Sequence, residues 1–442
     1  MNARSLLRCF CLIGCLGGLL LLGPPGCSDS DPAATQGSGG DVNWETHRSD
    51  LPRDLAPNVN ADDLETLVQG NQAFTLALYQ QLRAASGNNL LFSPLSIRMA
   101  FAMVYAGARG QTDAQITQAM HYLLSQTRLH PAYNALDLEL ARRNLPVGDQ
   151  GEDPVEFYLA NAFWGRTGLS WRQSYLDLLA VNYGSEIQSL DFGANPDGAR
   201  QIINGWVEDH TRQRIQDLLP AGSVTDATAA VLTNTAYFKA PWGDRFEEES
   251  TSSGDFHLLN GRTTPVPLMH QDSQQRYAEG PDYQALEMSF RGYELAMLFL
   301  LPRPGQFAAF EAGLNEARLA QIVADLSLAN VEVTLPRFSF SSSFFLNDPL
   351  RALGMVVPFT VNADLSGMLD GGPDLYISRA LHKTFIDLNE LGVEAAAATA
   401  IIIEIVGVLP SAVFAADRPF LFLIRDRTTG TILFFGRVLN PA

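Results

Sequence analysis

"ELGVEAAAATAIIIEIVGVLPSAVF", Glu390 to Phe414, is the stretch on which the fold assignment turns. Ala395–Ala398 favour a helix, because alanine is the strongest helix former. Ile401–Ile403, which follow at once, favour a strand. Glu394 and Glu404 interrupt the apolar run, which makes it a poor membrane span, since such spans need ~20 apolar residues with few charges. Read with the two-residue period of a strand, Glu394 and Glu404 fall on one face. Val393, Ala395, Ala397 and Thr399 fall on the other, the pattern of a half-buried strand.

The surrounding chain has 442 residues, 46% hydrophobic and 18% charged, enough apolar material for a large core. The net charge of −18 argues against a nucleic-acid backbone as partner, because such binding needs concentrated positive charge. All four cysteines, Cys9, Cys11, Cys15 and Cys27, lie in the first 27 residues. Arg4 and Arg8, then an apolar run from Phe10 to Leu22, then "GPPGC" describe an export signal. Residues 1–27 are read as a signal ending at Cys27. It resembles that of a bacterial lipoprotein, in which the cysteine is lipidated after cleavage. "LIGC" ending at Cys15 is the alternative, and a plain secretory signal or an uncleaved anchor is another. A mature chain starting at Cys27 has no cysteine pair, so its fold does not depend on disulfides.

Residues 28–60, starting "SDSDPAATQGSGGD", are expected to form a flexible tether. From residue 61 to 442 no comparable linker occurs, which predicts one large domain. Helical spacing of apolar residues marks Ala61–Ala85 and Ala199–Leu219. Ser93 followed by Pro94 predicts a capped helix start, and Thr112 with Gln115 has capping-box spacing. Strand patterns mark Ala229–Phe238, Glu294–Pro302 and Val331–Phe340. "PFLFLIRD" and "TILFFGRVL" around "RTTG" read as a hairpin. Helices first and strands later predict an α+β fold.

No G-x-S-x-G elbow, H-E-x-x-H, Walker loop or G-x-G-x-x-G occurs, and no histidine has a His or Cys neighbour at ligand spacing. Neither an enzyme nor a cofactor or metal is expected. Glu247–Glu249 read as a solvated acidic face.

Several ordered blocks carry a resemblance. They are "NLLFSPLSIRMAFAMVYAGARGQT", "NAFWGRTGLSWRQSYLDLLAVNYGSEIQSLDF", "INGWVEDHTRQRIQDLL", "VLTNTAYFKAPWGDRF", "HKTFIDLNELGVEAAAATA" and "ADRPFLFLIRDRTTGTILFFGRVLNP". Together they resemble the serpin family over roughly residues 62–442. That resemblance implies three β-sheets, eight or nine helices and an exposed reactive-centre loop. It also implies a suicide-substrate mechanism: a serine protease attacks the loop, forms an acyl-enzyme, and is trapped when the cleaved loop inserts into the central sheet.

By the same resemblance, Glu390 and Gly392 to Thr399 (Gly392, Val393, Glu394, Ala395, Ala396, Ala397, Ala398, Thr399) form the loop's hinge. Val406–Gly407 is the scissile bond, with Ile405 to Val408 open as alternatives. Ser93, Ser96, Asn234 and His382 match the family's shutter beneath the sheet, and Trp242 its breach, where insertion begins. The inserted strand is expected to turn Val393, Ala395, Ala397 and Thr399 to the core and Glu394, Ala396 and Ala398 to solvent. No Lys or Arg lies between Glu390 and Asp417, so an elastase-, chymotrypsin- or subtilisin-like protease is the implied partner. A non-inhibitory serpin, acting as carrier or chaperone, is the alternative. A monomer, exported and lipid-anchored to a bacterial envelope or otherwise secreted, is the expected state.

Overall fold

The structure is a computed structural model, and it describes residues 44–148, 151–371, 375–394 and 411–442. Along the first half run β1 (Trp44–His47), α1 (Ala61–Ala85), β2 (Leu90–Phe92), α2 (Pro94–Gly107), α3 (Gly110–Ala119) and α4 (Gln126–Ala141). They are followed by β3 (Glu156–Arg166), α5 (Gln173–Tyr183), β4 (Ile187–Leu190), α6 (Pro196–His210) and β5 (Ala230–Pro241). The second half holds β6 (Ser252–His257), β7 (Thr263–Glu279), β8 (Tyr283–Ser289), β9 (Leu295–Pro302), α7 (Phe307–Gly313) and α8 (Glu316–Asp325). It continues with β10 (Ser327–Pro336), β11 (Phe338–Phe345), α9 (Asn347–Ala352), β12 (Arg379–Asn389), β13 (Gly392–Val393), β14 (Ser411–Ala415), β15 (Phe420–Asp426) and β16 (Ile432–Val438). Helices dominate early and strands late, as the α+β reading requires.

Among the described residues, two hydrogen-bonded networks hold the strands. One has seven strands in the order β1-β4-β3-β5-β13-β12-β11, with β5 and β12 also paired directly. The other has nine, β14-β10-β7-β8-β9-β15-β16-β2 with β6 on β7. The 17-residue β7 explains why three expected sheets appear as two networks. Its first part pairs with β6, its middle and end with β10, and its last residues with β8. It thereby joins what would otherwise be separate sheets.

Local sequence set several boundaries. The hydroxyl of Ser93 accepts from the amide of Ser96 and caps α2, with Pro94 in its first turn. The hairpin around "RTTG" forms as β15 against β16. Other expectations are corrected. The capping box at Thr112 and Gln115 does not form, because α3 already begins at Gly110. Both side chains bond elsewhere: Thr112 accepts from the amide of Asp364, and Gln115 from those of Val356 and Val357. The helix predicted to reach Leu219 stops at His210, and Arg212, Gln213 and Asp217 then take left-handed backbone angles. The continuous strand predicted over Val331–Phe340 breaks at Arg337, and its halves, β10 and β11, enter different sheets. The tether expectation also changes: from Trp44 the chain is docked, with β1 paired to β4.

The inner face of the seven-stranded sheet rests on α2 and the main core, to which Leu232, Ala236, Phe238, Ile386 and Leu388 belong. The outer face carries a separate apolar cluster, in which Trp164, Leu190 and Val231 of the sheet meet Ile203 and Val207 of α6 and Ile215, Leu218 and Leu219 beyond it. The sheet therefore has a roof as well as a floor.

Candidate functional site: a parted sheet with a buried polar shutter

β5 and β12 run parallel and pair directly from Val231 with Arg379 to Thr235 with Lys383. Above that point they part, and β13 occupies the top of the gap. Gly392 lies opposite Pro241 and Asn389, and Val393 opposite Ala240 and Leu388. Beyond Val393 the amide of Glu394 still reaches the carbonyl of Asp387 at 2.9 Å. Glu394 itself has φ 55°, a left-handed angle that turns the chain out of the sheet plane. Between them, β5 residues 236–239 and β12 residues 384–387 flank a slot that no described residue beyond Glu394 fills.

Gly392 is required where it stands. Its φ is 141°, and a Cβ there would lie 2.2 Å from the carbonyl oxygen of Ala240. No side chain fits that angle and that approach. Next to it, Glu390 anchors the turn. Its carboxylate accepts from Arg337 at 2.5 Å and from the hydroxyl of Thr251 at 2.6 Å. Burial opposes the charge on Glu390, but the bonds from Arg337 and Thr251 outweigh it and hold the carboxyl below its ordinary value. Trp242 is 4% exposed and stacks on Phe290 at 4.7 Å. Its indole N–H donates to the carbonyl of Asn389 and its amide to that of Leu391. It is thus core packing and a clamp on the hairpin in one.

Val393 points into the core, 2% exposed. Glu394 lies on the opposite face, as parity demands, but that face is not solvent. Its side chain is 3% exposed and lies 3.5 Å from the guanidinium of Arg214, in the stretch after α6. Burial raises its carboxyl above the ordinary value, against the opposing pull of Arg214 and a hydrogen bond with Tyr237. The roof accounts for the difference from the solvent-facing expectation.

Below the slot the four residues expected to form a shutter converge. The amide of Ser93 donates to Nε2 of His382 at 2.9 Å, which fixes the imidazole proton on Nδ1, where it is shared with Oδ1 of Asn234. Asn234 Nδ2 donates to the hydroxyl of Ser96 at 2.7 Å and to Oδ1 of Asn161 at 2.6 Å. The Ser96 hydroxyl in turn lies 3.0 Å from Asn161 Oδ1 and from the carbonyl of Thr235. His382 is fully buried, and burial pulls its pKa down to about 3. Ser93 joins the cluster through its backbone, its hydroxyl being spent on the helix cap.

Sequence reading missed Asn161, Arg337, Thr251, Arg214 and Tyr237. Asn161 sits opposite Asn234 in the β3–β5 register. A polar residue inside the apolar strand "EFYLANAFWGR" was the available signal. The others reach the hinge only through tertiary contacts. Ala395, Ala396, Ala397, Ala398, Thr399, Val406, Gly407 and Cys27 lie outside the described residues.

A family model for serpins (serine protease inhibitors) matches residues 69–441. A serpin-like protein of Thermococcus kodakarensis is 39% identical over 378 residues, covering 85% of this chain and 86% of that one. The leukocyte elastase inhibitor of Bos taurus is 35% identical over 388 residues, covering 86% of this chain and all of the relative. Among solved structures, human thyroxine-binding globulin superposes with a TM-score of 0.76 at 28% identity, covering 86% of this chain and 100% of that one.

Proposed function

The chain belongs to the serpin family, and from that premise we propose that it is a suicide-substrate inhibitor of serine proteases with an apolar primary pocket. The observation that carries this reading is the parted sheet with two residues of a new strand already in it. Continuing the β13 register one residue at a time would set Ala395 between Phe238 and Ile386, and Ala397 between Ala236 and Thr384. Thr399 then falls between Asn234 and His382, at the shutter. Every one of these partners faces the core, so the small side chains Ala395 and Ala397 meet the positions where bulk would clash. Thr399 brings a hydroxyl to the polar cluster that insertion must open.

The chemistry follows from the loop. The protease serine attacks the carbonyl carbon of Val406, the peptide bond to Gly407 breaks, and the new amine leaves on Gly407. Val406 is left as an ester on the protease. The freed arm enters the slot, and β5, 12 residues long, gives it a track of roughly 40 Å. Insertion competes with hydrolysis of the ester, and an inhibitor wins that race. The bait from Ile401 to Leu409 is aliphatic apart from Glu404 and Gly407, which suits an elastase-, chymotrypsin- or subtilisin-like pocket. The 35% identity with a leukocyte elastase inhibitor supports the same class.

Incubation with a panel of such proteases should give a complex that survives SDS and a released peptide beginning near Gly407. Clean loop cleavage by every enzyme with no complex would favour the carrier reading instead. The N-terminal signal supports export and a lipid anchor at Cys27, holding a monomer at a bacterial envelope. Cys27→Ser should then shift the protein from the membrane to the soluble fraction, whereas release by Cys15→Ser would identify the other cysteine.

A further inference from the structure

Residues 44–56 precede the stretch matched by the family model, and they make a set of contacts of their own. All four residues of β1 pair antiparallel with β4, from Trp44 with Leu190 to His47 with Ile187. Only Arg48 separates this strand from the next anchor, the hydroxyl of Ser49 on the carboxylate of Asp177 in α5 at 2.6 Å. Further on, Arg53 donates to Asn134 and Asp137 of α4 at 2.8 and 2.6 Å. The amide of Asp54 donates to the carbonyl of Val181, and Asn134 donates to the carbonyl of Asp54.

The two ends of this segment sit on different elements, the edge strand of the sheet and the helices beneath it. β4 belongs to the edge group β4-β3-β5, whose outer face shares its own apolar cluster with α6 and whose inner face, with Ile187 and Phe163, lies on the main core. α4 and α5 belong to the main core, through Leu129, Tyr133, Leu136, Tyr175 and Leu179. A strand entering between β5 and β12 widens the sheet by about 4.8 Å. With β12 held against the main core, that widening slides the β4-β3-β5 group past α4 and α5. From His47 to Ser49 the chain spans two residues, at most ~7 Å even when fully extended. That short link leaves no slack for the slide unless the β1–β4 pairing or the Ser49 anchor opens.

We propose that residues 44–56 are a strap that ties the edge of the sheet to the helices beneath it and resists widening of the sheet. The strap rests on the insertion reading and adds to it a part that sets the insertion rate. A tight tie favours the intact state over spontaneous insertion, and insertion goes forward when the tie yields.

The test is uptake of a synthetic peptide with the sequence of residues 395–406, which requires widening but no protease, followed by native electrophoresis and by tryptophan fluorescence. Two variants loosen the strap. Insertion of three glycines between Arg48 and Ser49 keeps both anchors and adds slack, and Arg53→Ala removes the hold on α4. Each should take up peptide faster, by about tenfold for the slack variant. Arg128→Ala, which breaks an ion pair between α4 and Asp63 of α1 away from the strap, should leave the rate unchanged. Equal rates in the wild type and the slack variant, or equal acceleration by Arg128→Ala, would overturn the strap. If the wild type still traps protease, only the strap falls. No peptide uptake and no trapped protease in the wild type would sink the insertion reading, and the strap with it.

Discussion

His382 and His130 are both neutral in the fold. Burial holds His382 down to about 3 and His130 down to about 4, against an ordinary 6.5. As pH falls, the unfolded chain binds these protons first. Their contribution is therefore complete above about pH 6.5 and declines below it, each ring adding a slope of about 1.4 kcal/mol per pH unit. Both act down to about pH 4, and His382 alone to about pH 3. Urea midpoints should accordingly drop between pH 7.5 and 5, before any carboxylate with a lowered pKa such as Glu390 begins to matter. A flat profile across that range would contradict buried neutral imidazoles. His382→Ala should cost ~1–3 kcal/mol, since it strands the amide of Ser93 and one oxygen of Asn234. The identities of Ser93, Ser96, Asn234 and His382 were legible through family resemblance. Asn161 was not, because it takes its role from the register of β3 on β5.

At the scale of the element, the hinge strand sorts its positions by what lies opposite. Ala395→Arg and Ala397→Arg would drive a charge into the inner face, an effective penalty of several kcal/mol for an unpaired ion. Each ~1.4 kcal/mol added to the insertion barrier slows it about tenfold. On the proposed inhibitory reading, both variants should turn the protein into a substrate that is cut and released. The outer-face positions differ from one another, because the roof after α6 covers them unequally. If the β13 register were continued, Ala396 would meet Tyr237, close to Glu394 and Glu156, and Phe385. Ala398 would meet Thr235, which is 0% exposed, and Lys383, a like charge. Ala396→Arg should do the least harm, Ala398→Arg an intermediate amount, and the two inner-face variants the most. The number of inhibitor molecules consumed per protease trapped measures all four, and equal damage throughout would refute the register. Periodicity alone put Val393 and Glu394 on opposite faces. It gave no sign that the outer face was covered, because α6 and the stretch to Leu219 are brought there by the fold.

For the whole molecule, a clean cut in the loop should raise the melting temperature, as a full central strand adds ladder hydrogen bonds and buries apolar surface. Unchanged melting after cleavage would mean that the slot stays closed. How much of this architecture could be read beforehand depends on how far apart the interacting residues are. Features set within a few residues were written in the sequence: the Ser93–Pro94 start of α2, the 25 residues of α1, the β15–β16 hairpin and the opposite facing of Val393 and Glu394. Caps, periods and tight turns depend on neighbours that the chain supplies directly. Features that need distant partners were decided by tertiary structure: the break at Arg337, the end of α6 at His210, the docking of residues 44–56 and the burial of Glu394. Arg337 turns the chain from one sheet to the other and clamps Glu390, 53 residues away, and Arg214 reaches Glu394 from beyond α6. No local preference encodes such contacts, because their energy exists only once the two sheets and the roof have come together.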